Sequence, residues 1–187
     1  LRSKLSPDLF ESVRGIGYAL AEGMAAAGAQ VVINGRGQSG VDKAVAALKA
    51  KGLRVLGAAF DVADPEAVAA AFRQFDAQDL AIDILVNNAG IQHRQPMLEL
   101  DLRDWQRVLD TNLTAAFLVG KEAAQRMIAR GRGGKIINIG SLTSEAARAT
   151  VAPYTVAKGG IKLLSRAMAA EWAKHDIQAN AIGPGYI

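Results

Sequence analysis

The 187 residues predict an α/β fold, a doubly wound parallel sheet within a single domain, on three observations. Short apolar runs alternate with helix-length amphipathic segments along nearly the whole chain. Buried strands that are each reached through a helix make a parallel sheet covered on both faces. Alanine is abundant and aromatic residues are only 5%, so helices can approach a sheet closely. No repeat, low-complexity stretch or linker divides the chain, and a hydrophobic content of 50% suffices for one sizeable core.

In chain order, "RGIGYAL" (Arg14 to Leu20) puts Gly15 and Gly17 at the opening of an Ala-rich helix expected over residues 16–27. The residues ahead of it, "SPDLFESV", make a poor central strand, because Pro7 removes a ladder hydrogen bond. "QVVIN" (30–34), "RVLGAAF" (54–60), "IDILVNNAG" (82–90), "GKIINIG" (134–140) and "IQANAIG" (177–183) read as strands. Asp64 before Pro65 and Glu66 marks a helix start: the carboxylate accepts orphan N–H groups, and proline costs nothing in the first turn. Two longer helices are expected near Asp104–Ala129 and Pro153–Lys174.

Charge and composition exclude several classes. Lys plus Arg number 22 against 18 Asp plus Glu, a scattered excess that speaks against a nucleic-acid surface and mildly for an anionic ligand. Without cysteine there are no disulfides and no thiolate metal sites, and no other metal site is expected. No apolar run reaches the roughly 18 residues of a membrane span, and the start lacks a signal-peptide layout, so a soluble cytoplasmic protein is expected.

Gly15 and Gly17 form either a tight turn or a phosphate cradle at a helix N-terminus. Where an acidic residue after the second strand of such a fold would take ribose hydroxyls, this chain has Arg36, with Arg14 expected close by. A guanidinium there suits the ribose phosphate of NADP, unless both arginines are solvated surface charges. Asp61 either accepts from an adenine amino group or caps a local turn. Asn87-Asn88-Ala89-Gly90 combines amides and small residues at a strand end, as a cofactor crossing or as a polar turn.

Tyr154 and Lys158 carry the sharpest signal. At i, i+4 on one helix they share a face, so an ammonium beside a phenol favours the ionised phenol and suits it to proton transfer. Ser141 ends the "GKIINIG" strand, where its hydroxyl can hold a carbonyl or alcohol oxygen. Asn112 within a long helix needs a task, either a proton relay or a kink. His93 and His175 read as exposed polar residues without acidic partners.

Together "RGIG" (14–17), "NNAG" (87–90), Asn112 in "DTNLTAAF", Ser141 in "IGSLTS", "YTVAK" (154–158) and "GPG" (183–185) resemble the short-chain dehydrogenase/reductase family over residues 14–187. The resemblance implies a Rossmann fold in which Ser141 positions the substrate oxygen, Tyr154 is the acid or base, Lys158 binds the nicotinamide ribose and lowers the tyrosine pKa, and Asn112 supports a proton path. It also implies cofactor contacts from Arg14, Gly15, Ile16, Gly17, Arg36, Asp61, Val62, Asn88, Ala89, Gly90, Tyr154, Lys158, Pro184, Gly185 and Ile187. "LVNNAGIQHRQPMLEL" and the run from Ala152 to Ile187 are similar to the gluconate 5-dehydrogenase branch, which interconverts gluconate and 5-ketogluconate. That adds Arg94 as a partner for the substrate carboxylate, a role for which Arg148 competes, and a homodimer or homotetramer.

The chain departs from the family where Phe10 and Glu11 stand in place of Thr-Gly, and where it stops at Ile187 before a substrate-covering segment and a further strand. It is therefore expected to be C-terminally truncated with an altered N-terminus. Two readings follow. One is an NADP-dependent oxidoreductase, acting on gluconate or on another small carbonyl or sugar-alcohol substrate; the other is a folded inactive fragment able at most to associate with related subunits.

Overall fold

Five short strands, all parallel to their neighbours, alternate with helices in the computed structural model, which describes residues 14–185. The chain divides into two compact units, Leu1–Asp61 and Val62–Ile187. Residues 6–13, with Pro7, Phe10 and Glu11, lie outside the described residues, as does Ile187.

The first unit runs α1 (Arg14–Ala26), β1 (Val31–Gly35), α2 (Gln38–Lys49) and β2 (Val55–Ala59). The β-branched run Val31-Val32-Ile33 favours extended backbone, and it pairs with β2 from Val31 opposite Val55 to Gly35 opposite Ala59. On α2, Val41, Val45 and Leu48 recur at helical spacing. Leu48 meets Val55 and Ala25 in a small core, with Tyr18, Ile33, Val45 and Leu53 packed around it. Each large aliphatic side chain so buried contributes about 1.5–3 kcal/mol. Asn34 ties the two strand ends together, its amide donating to the carbonyls of Ala58 and Phe60 at 3.1 Å each.

The second unit carries α3 (Pro65–Ala77), β3 (Ile84–Asn87), α4 (Leu102–Leu109), a π-helical turn (Asp110–Thr114), α5 (Ala115–Arg130), β4 (Gly134–Ile139), α6 (Ala152–Trp172) and β5 (Ile177–Ile182). Its sheet order is β3-β4-β5, with Asn87 opposite Asn138 and Ile139 opposite Ile182. The expected cap is present: Asp64 Oδ1 accepts from Glu66 N at 2.9 Å and Ala67 N at 3.2 Å. Val68, Phe72 and Phe75 of α3 are buried, the two rings edge to face at 5.4 Å. On α5 the buried positions up to Ala124 are small, Ala115, Ala116, Val119, Gly120, Ala123 and Ala124, so neighbouring elements approach closely, and Met127 fills the space at the far end.

Each of the five expected strands forms within a few residues of its expected bounds. The "IDILVNNAG" strand is shorter than expected, ending at Asn87 and leaving Asn88 to Gly90 beyond it. The helix expected near Asp104–Ala129 is interrupted by the π turn, at which Thr111 Oγ1 donates to the Arg107 carbonyl at 2.9 Å. Such back-bonding bends helices, and single π turns concentrate at functional positions. Among the described residues no helix is long and apolar enough to cross a membrane.

Candidate active site

β4 delivers Ser141 through Gly140, and a 3-10 turn, Leu142–Ser144, begins at once. Ser141 caps that turn: its Oγ accepts the Thr143 N–H at 3.2 Å, while Ser144 Oγ accepts the Ser141 N–H at 3.2 Å. This reciprocal pair is a capping box, and it uses an Oγ lone pair of Ser141 rather than its hydroxyl hydrogen.

Tyr154 and Lys158 stand one turn apart on α6, with Lys158 Nζ 5.7 Å from the centre of the phenol ring. Lys158 is only 4% exposed, and its Nζ donates to the Ile139 carbonyl at 2.5 Å. Burial pushes its pKa down to about 8, because a desolvated ammonium is disfavoured. The charged form is still the majority at neutral pH. α6 lies this close to the π turn because residue 160 is glycine: a Cβ there would stand 2.7 Å from Leu113 Cδ2.

The π turn buries Asn112 to 2% exposure and aims its amide at the loop after β3. Asn112 Oδ1 accepts the Ile91 N–H at 2.7 Å, and Nδ2 donates to the Ile91 carbonyl at 2.8 Å. Asn112 thus sits in the π turn and anchors the loop after β3. A second polar chain runs from β3 through β4 to α6. Asn87 Nδ2 donates to Asn138 Oδ1 at 2.8 Å, Asn138 Nδ2 to Ser165 Oγ at 2.9 Å, and Ser165 Oγ to the Ile161 carbonyl at 2.8 Å.

Ser141 and Tyr154 line one cavity of about 220 Å³. Gln92, Arg94, Thr143 and Arg148 give it polar and cationic walls; Leu142, Val151, Pro184 and Gly185 complete it. Arg94 Nε donates to Gln92 Oε1 at 3.3 Å. His93 requires a correction. It is half-buried, with Nε2 2.9 Å from Gln95 Oε1 and 3.8 Å from Asp104 Oδ2. Arg107 bonds to Asp104 at 2.9 Å and holds that carboxyl below the usual carboxylate range. The acidic partner was missed because it comes from α4, eleven positions on, and not from a local spacing.

The candidate cofactor residues distribute as follows. In the first unit Gly15, Ile16 and Gly17 form the first turn of α1, which begins at Arg14, two residues earlier than expected. Arg36 follows β1 directly and Asp61 lies two residues past β2. In the second unit Asn88, Ala89 and Gly90 follow β3, Val62 precedes α3, and Pro184 and Gly185 follow β5. The Arg14 side chain and Ile187 lie outside the described residues. Ser144, Asn138 and Ser165 were not singled out from sequence. Ser144 repeats the Ser-x-x-Ser spacing of a capping box, and Asn138 and Ser165 interrupt apolar stretches, signals that were legible in retrospect.

Comparison with known proteins agrees with this arrangement. The chain is 45% identical to gluconate 5-dehydrogenase of Gluconobacter oxydans over 96% of its own length and 74% of that protein. A crystal structure from Agrobacterium tumefaciens matches with a TM-score of 0.90 at 62% identity, over 94% of this chain and 69% of that one. A gluconate 5-dehydrogenase from Burkholderia cenocepacia, solved in complex with NADP and tartrate, matches with a TM-score of 0.89 at 46% identity, over the same shares. The family model for short chain dehydrogenase covers residues 12–187. This chain belongs to the short-chain dehydrogenase family.

Proposed function

We propose that the chain is an NADP-dependent oxidoreductase that interconverts gluconate and 5-ketogluconate. The observation that carries the reading is the cavity in which a hydroxyl (Ser141) and a phenol (Tyr154) share walls with two guanidinium groups, Arg94 and Arg148. A secondary alcohol needs the first pair, and a carboxylate needs a cation of the second kind. Relatives named for gluconate oxidation, and a neighbour crystallised with a hydroxy acid, support the same substrate class.

The donor set fits a nicotinamide dinucleotide phosphate. Residue 15 is exposed, and among the described residues a Cβ added there would meet no atom within 4 Å, which suits a backbone that approaches a phosphate. Arg36, exposed at the end of β1, suits the ribose phosphate. Within the second unit, taken by itself, Asn88, Ala89, Gly90, Pro184 and Gly185 are the proposed cofactor contacts, with Tyr154 and Lys158 toward the nicotinamide ribose. When bound, that cofactor accepts or supplies the hydride.

The remaining chemistry belongs to the chain. In the alcohol-to-ketone direction Tyr154 takes the hydroxyl proton as hydride leaves the same carbon; in the reverse direction it returns that proton. Ser141 donates its hydroxyl hydrogen to the substrate oxygen. The Lys158 ammonium, held near the ring, opposes the negative charge that Tyr154 carries after losing its proton. Asn112 anchors the loop that bears Gln92 and Arg94. The proposal extends to a cytoplasmic location and a homodimer or homotetramer.

Calorimetric titration with NADPH and NADH, followed by assay with 5-ketogluconate, tests this reading. The expected result is tighter binding of NADPH, turnover of 5-ketogluconate, and a loss of at least about 100-fold in kcat for Tyr154→Phe. A folded chain that binds neither nucleotide overturns it.

A further inference from the structure

We propose that Ser144 is a positioning residue, whose single hydroxyl cross-links the backbone of Ser141 to the backbone of Lys158 and so sets the distance between the substrate-holding serine and the helix that bears Tyr154. The proposal rests on the oxidoreductase reading above.

Ser144 Oγ accepts the Ser141 N–H at 3.2 Å and donates its hydrogen to the Lys158 carbonyl at 2.8 Å. Both capacities of one hydroxyl, donor and acceptor, are thus used by residues that the proposed chemistry needs. Lys158 is held at both ends: its carbonyl by Ser144 and its Nζ by the Ile139 carbonyl, two residues before Ser141. The tie is short and stiff. A Cβ on Gly140 would stand 3.3 Å from Ser144 Oγ, so little room is left for another arrangement of that group. Without the hydroxyl, the turn that begins at Ser141 keeps its own Oγ cap from Thr143 and the ion pair of Glu145 with Lys162 on α6, but loses the Ser144 bond to the Lys158 carbonyl. Proton transfer and hydride transfer both depend on geometry, and a displacement of about 1 Å can cost on the order of 100-fold in rate.

The test compares Ser144→Ala and Ser144→Thr with the parent chain for kcat, KM for 5-ketogluconate, thermal midpoint and the pH dependence of Lys158 acylation, read by mass spectrometry. Ser144→Ala is expected to lower kcat by about tenfold or more with KM changed less than about threefold, and Ser144→Thr, which keeps the hydroxyl, to recover most of the rate. Lys158 acylation in Ser144→Ala should shift toward the profile of an exposed lysine. A Ser144→Ala variant within about twofold of the parent in kcat overturns the proposal, as does a variant whose rate loss is matched by unfolding and not recovered by threonine. If the parent itself turns over no substrate, the functional reading has failed, and acylation alone decides: a shifted Lys158 profile sustains the positioning role and an unchanged one removes it.

Discussion

Asn112 grips Ile91 through both of that residue's backbone polar groups, taking its N–H at 2.7 Å and giving a hydrogen to its carbonyl at 2.8 Å. With Asn112 buried, neither bond has a ready substitute in water. Asn112→Ala strands a donor and an acceptor together, and is expected to cost about 2–4 kcal/mol in urea denaturation. Asn112→Asp keeps the shape but faces a carbonyl with a carboxylate, so its stability relative to the parent should rise as pH falls and the acid regains a donating hydrogen. A loss below about 0.5 kcal/mol for the alanine variant would mean that the loop after β3 holds itself.

Lys158 gives a pH prediction with a definite sign. Its pKa is about 8 in the folded chain against an ordinary 10.5, so the folded state binds fewer protons between those values. Stability therefore rises with pH across that window, and the cost of burying the ammonium is present in full below pH 8. Comparison with Lys158→Met isolates this group from the other lysines. From pH 7 to 10.5 the parent should gain about 3 kcal/mol relative to the variant, by order of magnitude, in matched denaturation curves. A constant difference over that range would place the Lys158 titration elsewhere.

Gly160 tests how tightly α6 must lie on the π turn. A Cβ there would stand 2.7 Å from a terminal methyl of Leu113, the movable end of a side chain. Alanine gains about 1 kcal/mol in helix propensity, so Gly160→Ala should fall within about 1 kcal/mol of the parent. Gly160→Val cannot be absorbed so easily and should cost about 2–3 kcal/mol. Leu113→Ala combined with Gly160→Val should recover about 1 kcal/mol or more of the summed losses, and additive losses would mean that the two positions do not compete for space.

Much of this was legible because it is local. The strands announce themselves as β-branched runs such as Val31-Val32-Ile33, and Asp64-Pro65-Glu66 carries its own capping chemistry within three residues. The candidates Ser141, Tyr154 and Lys158 could be named from sequence because a motif holds two of them at helical spacing. The π turn was not, since nothing in "DTNLT" specifies an extra residue per turn, and the bonds that accompany it join Asn112 to a residue 21 positions earlier. The same limit hid Asp104 from His93, and Lys158 from Ser144. Contacts between segments distant in sequence are set by packing, and pattern reading does not reach them.

The amide pair Asn87 and Asn138 has a consequence for which structures the chain avoids. Parallel strands have no tight hairpin to fix their alignment, and apolar runs such as those of β3 and β4 would tolerate sliding. These two asparagines sit directly opposite each other, and Asn138 is fully buried. A slip of one residue would turn Asn138 to the other face and leave its amide facing apolar side chains without Asn87 or Ser165 to receive it. The pair thus penalises the misaligned sheets, and so favours the register that keeps Ser141 at the strand end where the cavity opens.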